Sequence, residues 1–337
     1  MPIASVEPCA QLYHDEIKRN VTHSLARHKP PPKLVGFLAN DDAGAKMYAR
    51  WTQRACDKDR IHYELRQIDK QDLEDHIVAA NADPDVHGII VYYPVFGGAI
   101  DDYLRDVISL EKDVEGLNHR YRYSLYHDIR TLPDLGHRKC VLPCTPLAIL
   151  KIIHYLGAYK TDRPLGDQLH GHKVVVFNRS EVVGRPLAAM LANDGATVYS
   201  VDVTGMLVYR KGRVPGALRA EETSATVDEA LAFADIVISG VPSKSFSIDA
   251  AKVRAGAIAI NFAPQSNFSA GIEERASAYV PAIGKVTIAM LERNLLRLHA
   301  AGNADDAGAL RGDAWRFAGV ALVSAAFASA ICMRINK

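Results

Sequence analysis

Between His172 and Asp202 the chain reads HKVVVFNRSEVVGRPLAAMLANDGATVYSVD, and few folds accommodate that order. Lys173 to Phe177 is a short run dominated by β-branched residues, the pattern of a parallel strand covered on both faces. The polar turn Asn178-Arg179-Ser180 follows, then a helix, then a second strand closing on an acid. Gly184 stands at the helix entry, where a missing side chain lets helix and strand approach, and Pro186 is tolerated in a first helical turn. Gly195 ends the helix in the left-handed conformation that glycine adopts cheaply. Asp202 lies 18 residues beyond Gly184, near the spacing at which a carboxylate takes the ribose hydroxyls of NAD. The stretch therefore reads as a dinucleotide-binding strand-turn-helix-strand unit.

Its turn departs from G-x-G-x-x-G, because Asn178 and Ser180 replace the first two glycines and Gly184 alone remains. Asn tolerates left-handed backbone angles, and Ser180 can offer a hydroxyl and an amide to a phosphate. The competing reading is an α/β unit that binds no nucleotide, since such folds host many functions.

The rest of the chain extends the same architecture. A helix is expected over 8–27, ended by Pro30-Pro31-Pro32, then a strand over 33–39 and a helix carrying Tyr48, capped by Asp41 or Asp42. Strands over 61–68 and 88–92 flank a helix over 71–80, and another helix is expected over 101–110. The tyrosine-rich stretch before Pro143 shows no periodicity. Thr145-Pro146 opens an apolar helix to Leu156, and 159–171 reads as a linker. Beyond Asp202, residues 206–222 read as a basic surface excursion, 226–229 as a capping box, 234–240 and 257–262 as buried strands, and 287–299 as an amphipathic helix. The fold class is thus α/β, two domains with a cleft between them: residues 1–150, and a Rossmann-like parallel sheet over 151–300. Residues 301–337 are expected to pack back on the first domain.

A net charge of +1 gives no reason to expect nucleic acid or a membrane surface as partner. Five scattered cysteines suit a reducing compartment, and Cys140 and Cys144, flanked by prolines without a second pair, do not make a metal site. With no basic-then-apolar leader, the expectation is a cytoplasmic protein without metal. The apolar run from Phe317 to Met333 is shorter than the ~20 residues a membrane helix needs and reads as a buried or dimer-covering helix.

Several fragments stand in one order: Tyr48 in its helix, Gly88-Ile89-Ile90-Val91 before Pro94, Lys112-Asp113-Val114-Glu115-Gly116, Pro143-Cys144-Thr145-Pro146, Arg179-Ser180-Glu181-Val182-Val183-Gly184-Arg185-Pro186, and Ile283-Gly284-Lys285-Val286-Thr287. Together they resemble the methylenetetrahydrofolate dehydrogenase/cyclohydrolase family over nearly all of the first 300 residues. Three departures point to its monofunctional, NAD-dependent branch of fungal type. Thr52 stands where bifunctional members carry a lysine, Tyr92 where they carry a glutamine, and Glu115 where they carry an aspartate.

The resemblance implies that Tyr48 stacks on the folate, that Glu115 holds the pterin edge, and that Tyr92 and Thr52 line the same pocket. It places Thr145 near the nicotinamide and Asn178, Arg179, Ser180, Val183, Gly184, Asp202, Gly284 and Thr287 around NAD. It implies a homodimer in one-carbon metabolism and purine biosynthesis. Asp202 and Arg179 pull the cofactor preference in opposite directions, since relatives using NADP carry an arginine near its 2′-phosphate. The alternatives are a bifunctional enzyme with a relocated lysine such as Lys46, and an NAD-dependent amino-acid or shikimate-type dehydrogenase.

Overall fold

Short apolar runs become parallel strands, because burial on both faces leaves no polar side to alternate with. In the first sheet β1 (Lys33–Leu38) lies between β2 (His62–Gln67) and β3 (Gly88–Val91), all parallel. The computed structural model describes residues 3–26 and 30–302. Around this sheet run α1 (Glu7–Ala26), α2 (Ala43–Asp59), α3 (Leu73–Ala82) and α4 (Gly98–Val107). Of the two candidate caps for α2 the chain uses Asp42, whose carboxylate accepts the Ala45 amide at 2.7 Å. The fourth helix begins three residues before the expected Asp101, whose carboxylate instead accepts the Val95 and Phe96 amides.

The tyrosine-rich stretch is not structureless. It holds α5 (His119–Tyr126) and a small hairpin of β4 (Thr131–Leu132) and β5 (Arg138–Lys139), before α6 (Cys144–Tyr155). Helix α5 is too short to show an apolar period. The Asn118 side chain starts it by accepting the Arg120 amide.

The second sheet runs β12-β11-β10-β6-β7-β8-β9. Its strands are β6 (Lys173–Phe177), β7 (Thr197–Asp202), β8 (Gly205–Lys211), β9 (Leu218–Glu222), β10 (Ile236–Ser239), β11 (Ile258–Asn261) and β12 (Ala278–Val280). Helices α7 (Gly184–Asn193), α8 (Val227–Phe233), α9 (Ile272–Arg275) and α10 (Gly284–Gly302) complete the chain. The capping box at Thr226 and Glu229 forms as expected. The expected surface excursion over 206–222 is instead two antiparallel strands that extend the sheet beyond β7. Mostly exposed, β9 carries polar residues, so nothing in its sequence marks burial.

One continuous apolar core joins the sheets, from Leu34 and Ile90 through Ile149 and Ile153 of α6 to Val174 and Val176. Helix α10, assigned by sequence to the second domain, packs on α1 and α2 within residues 1–150 and on α6, which spans the expected boundary. A buried polar cluster lies where α1, α2 and α10 meet. His14 Nδ1 lies 2.5 Å from Asp59 Oδ2 and 3.5 Å from Glu292 Oε2. Burial, then the neighbouring Asp59, pushes the Glu292 carboxyl well above the usual range. The run from Phe317 to Met333, Cys332 and the return of the chain beyond residue 302 lie outside the described residues. Among the described residues, no helix is long and apolar enough to cross a membrane.

Candidate active site

Helix α2 presents Tyr48 and, one turn later, Thr52. The strand β3 delivers Tyr92 directly after its last residue, at the carboxyl edge where α/β sheets open their crevices. The half-buried Tyr48 ring meets the Tyr92 ring edge-on, centroids 5.6 Å apart. Tyr92 is buried, and its hydroxyl pairs with that of Tyr63 at 2.7 Å. Thr52 is fully buried, and its hydroxyl donates to the Tyr48 carbonyl at 3.0 Å and lies beside the Tyr92 hydroxyl. Burial pushes all three phenols above their ordinary value, and at Tyr48 the nearby Cys144 and Glu115 add to it. None of the three ionises near neutral pH.

Glu115 is half-buried in a loop built by its neighbour. Asp113 accepts the amides of Glu115 at 3.1 Å, Gly116 at 2.9 Å and Asn118 at 2.8 Å, which ties the loop around one carboxylate. Gly116 has φ +64°, and a Cβ there would sit 2.9 Å from the Val141 carbonyl, so glycine alone fits. Burial raises Asp113 to about 6 against the pull of those amides. Burial, and then the charge of Asp113, raises Glu115 to about 8, with Arg105 pulling the other way.

The Pro-Cys-Thr-Pro segment closes the far side. The Cys144 thiol, pushed up by burial, donates to the Val114 carbonyl at 3.4 Å. Pro143 holds the N-cap position of α6, so Thr145 is not its cap; Thr145 is half-buried in the first turn. Asn294 of α10 clamps both loops, donating to the Val114 carbonyl at 2.9 Å and the Leu142 carbonyl at 3.0 Å. Asn294, Tyr63, Asp113 and Arg105 were not read as site residues. Only the acidic pattern around Asp113 carried any signal for one of them.

The polar turn after β6 is held differently from the sequence expectation. Asn178 does not adopt a left-handed backbone; its side chain organises the turn. It donates to the Gly240 carbonyl at 2.9 Å and accepts from the Ser180 amide at 2.9 Å and hydroxyl at 2.7 Å. The Ser180 hydroxyl in turn accepts the Val183 amide at 3.2 Å and the Gly184 amide at 3.4 Å, so its first task is the turn itself. A Cβ on Gly184 would lie 2.1 Å from the Asn178 carbonyl oxygen, which is why the glycine remains.

Arg179 reaches across the β7–β8 hairpin. Its Nη2 donates to the carbonyls of Ser200 at 2.6 Å and Gly205 at 2.7 Å, and Nη1 to the Thr204 hydroxyl at 3.0 Å. Asp202 stands exposed at the end of β7. Gly284 and Thr287 open α10, with Thr287 buried and its hydroxyl on the Ile283 carbonyl at 3.4 Å. A Cβ on Gly284 would lie 3.7 Å from Trp51 of α2, so α10 begins close to the helix that carries Tyr48. A cluster of aromatic and carboxyl side chains and a turn-helix unit built for close approach thus sit in one molecule, at the carboxyl edges of two sheets.

Residues 5–115 match the catalytic-domain model of the tetrahydrofolate dehydrogenase/cyclohydrolase family, and residues 143–213 match its NAD(P)-binding domain. A protein of Dictyostelium discoideum named methylenetetrahydrofolate dehydrogenase [NAD(+)] is 49% identical over 87% of this chain and 92% of its own. One of that name from Schizosaccharomyces pombe is 46% identical over 86% of this chain and 93% of its own. The solved NAD-dependent 5,10-methylenetetrahydrofolate dehydrogenase of Saccharomyces cerevisiae superposes with a TM-score of 0.82 at 47% identity, covering 87% of this chain and 95% of that one. The chain belongs to the tetrahydrofolate dehydrogenase/cyclohydrolase family.

Proposed function

We infer that the protein oxidises 5,10-methylenetetrahydrofolate to 5,10-methenyltetrahydrofolate with NAD and leaves the product unhydrolysed. The observation that carries this reading is Thr52, fully buried and engaged with the Tyr48 carbonyl one helical turn away. A bound NAD supplies the acceptor for one hydride. The folate nitrogens expel that hydride and share the resulting cation, so the protein has no proton to move. Holding the two rings together is then most of the task, and good positioning contributes ~7–11 kcal/mol in favourable cases. Tyr48 packs on the pterin, with Tyr92 and Thr52 fixing its ring. Glu115, once ionised against bound substrate, binds the pterin edge and favours the cation.

Hydration of the methenyl cation is a different demand, because water must give up a proton to a tuned base. Thr52 cannot titrate in the useful range, and burial takes the three phenols out of it. Wild-type protein with methylenetetrahydrofolate and NAD is expected to form NADH and methenyl product, with formyl product no faster than without enzyme. A bifunctional reading has one observation in its favour: Glu115, at about 8, sits near neutrality. Formyl product made by the wild type from supplied methenyltetrahydrofolate and lost in Glu115→Gln would establish that alternative.

In this reading Asn178, Ser180, Val183 and Gly184 form the turn for the cofactor phosphates, and Thr145, Gly284 and Thr287, in the first turns of α6 and α10, complete the cofactor site. Asp202 accepts the ribose hydroxyls and repels a 2′-phosphate. Two unit charges ~4 Å apart at an effective dielectric of ~20 repel by about 4 kcal/mol before screening. Arg179 does not offset this, because its guanidinium is committed to Ser200, Thr204 and Gly205. NAD is expected to exceed NADP in kcat/KM by at least about tenfold, about 1.4 kcal/mol, and Asp202→Ser to narrow that ratio severalfold. Equal use of both cofactors by the wild type would remove Asp202 from this role. We further propose a folate domain over 1–150, a cytoplasmic location, and a homodimer paired through the nucleotide-binding domain. Sedimentation of a monomer would reject the pairing.

A further inference from the structure

The buried polar cluster where α1, α2 and α10 meet has no part in the reaction inferred above. Asp59, the last residue of α2, lies seven residues beyond Thr52, and Glu292 lies five beyond Thr287 on α10. At 1.5 Å per residue these are ~10 Å and ~8 Å along the two helices, so the cluster stands away from the candidate active site.

His14, Asp59 and Glu292 each turn a ligand atom inward, all within 4.8 Å of one another. Asp59 and Glu292 are fully buried, and His14 nearly so. Asp59 Oδ2 lies 2.5 Å from His14 Nδ1. Its other oxygen, Oδ1, and both oxygens of Glu292 accept no hydrogen bond from any described residue. The half-buried Lys18 brings its ammonium only to 3.8 Å from Asp59 Oδ1, and His14 Nδ1 stands 3.5 Å from Glu292 Oε2. Three carboxylate oxygens are thus enclosed without donors, a costly arrangement for buried charge. A single proton set between two of them leaves the third without a partner.

A divalent cation answers all of these demands together. It neutralises two carboxylates and accepts lone pairs from oxygen and from the imidazole nitrogen. Zinc takes such ligands at ~2.0–2.2 Å, which places them roughly 3–3.5 Å from one another. His14 Nδ1 and Glu292 Oε2 already have that spacing at 3.5 Å, and Asp59 has only to draw back from His14 or turn Oδ1 inward. Magnesium, which prefers oxygen ligands and keeps several waters, suits the set less well. Among the described residues no fourth histidine, cysteine or acid joins the three, so a water completes the tetrahedron. Positions 14, 59 and 292 form no spacing motif, and only the fold brings them together.

We propose that His14, Asp59 and Glu292 bind one divalent transition-metal ion, zinc being the best match, as a structural tie between α1, α2 and α10. The test uses full-length protein freed of metal by a chelator and titrated calorimetrically with zinc chloride or magnesium chloride. Zinc is expected to bind at least about a hundredfold tighter than magnesium. At a hundredfold excess over its Kd it should raise Tm by about 3 °C or more. His14→Gln and Glu292→Gln should each remove one equivalent of bound zinc together with the gain in Tm. Cobalt gives a readout that packing does not move: the visible bands of a four-coordinate ion, present in the wild type and absent from both variants. Glu292→Gln replaces a buried charge with a neutral amide and should fold without metal, so it alone decides if His14→Gln does not fold. Zinc that fails to bind at millimolar concentration, that binds no tighter than magnesium, or that stays at full stoichiometry in both variants, an adventitious ion only, would overturn the proposal. None of these outcomes bears on whether the protein oxidises methylenetetrahydrofolate.

Discussion

Glu115→Gln is expected to lower kcat/KM for methylenetetrahydrofolate by about 10²–10³-fold, the range seen when one group stabilising a developing charge is removed. The variant keeps the size and one acceptor oxygen, turns the other into an amide donor, and cannot carry the charge that the methenyl cation calls for. Its pH profile separates this role from packing. In the free enzyme, burial and Asp113 hold Glu115 at about 8, so much of the wild type begins with a protonated carboxyl at neutrality. Wild-type kcat/KM, which reports free-enzyme ionisations, should therefore climb with pH toward about 8, while the Gln variant shows no such climb. Stability moves the opposite way. The folded protein keeps a proton on Glu115 that the unfolded chain releases near 4.5, so between 4.5 and about 8 the native state binds more protons and loses stability as pH rises. The ligand-free variant should thus gain in Tm relative to wild type across that window. A level wild-type profile together with near-normal activity in the variant would show that Glu115 does not meet the substrate.

Gly184→Ala should be strongly damaging to the nucleotide half. The added carbon would lie 2.1 Å from the Asn178 carbonyl oxygen and 2.4 Å from its carbon, both backbone, and no side-chain rotation relieves that. Either α7 retreats from β6 or the Asn178 turn opens. Helix α7 is enclosed by core along almost its whole length, so retreat disturbs packing. Overpacking of this kind costs about 1–3 kcal/mol or more, and NAD affinity should fall at least tenfold because the turn moves with it. Gly284→Ala is the internal control. Its Cβ would make an ordinary contact with Trp51 at 3.7 Å, so its stability should stay within about 0.5 kcal/mol of wild type. Thermal melts and NAD titrations on the two variants check this, and a Gly184→Ala protein that melts and binds like wild type would refute the close-approach role.

The strands were legible wherever apolar residues ran together, as in β1, β3, β6, β10 and β11, because burial on both faces writes itself into composition. Strands β8 and β9 were not, since an edge hairpin needs polar residues on its open face and so looks like a loop. Helix α10 was read as amphipathic, yet between Val286 and Ala300 no residue is exposed, and its pattern does not say which elements it meets. Packing on α1, α6 and α2 answers that.

The sequence by itself determined the α/β class, the strand-turn-helix unit at 172–202 and the ordered motifs that place the chain in its family. Tertiary structure decided what each polar group is free to do. It commits Arg179 to Ser200 and Gly205, ties Tyr92 to Tyr63, and gathers His14, Asp59 and Glu292. Periodicity and composition record how much of a segment meets water. A hydrogen bond or a displaced pKa depends on which atoms, tens of residues apart in the chain, the fold brings within a few ångströms.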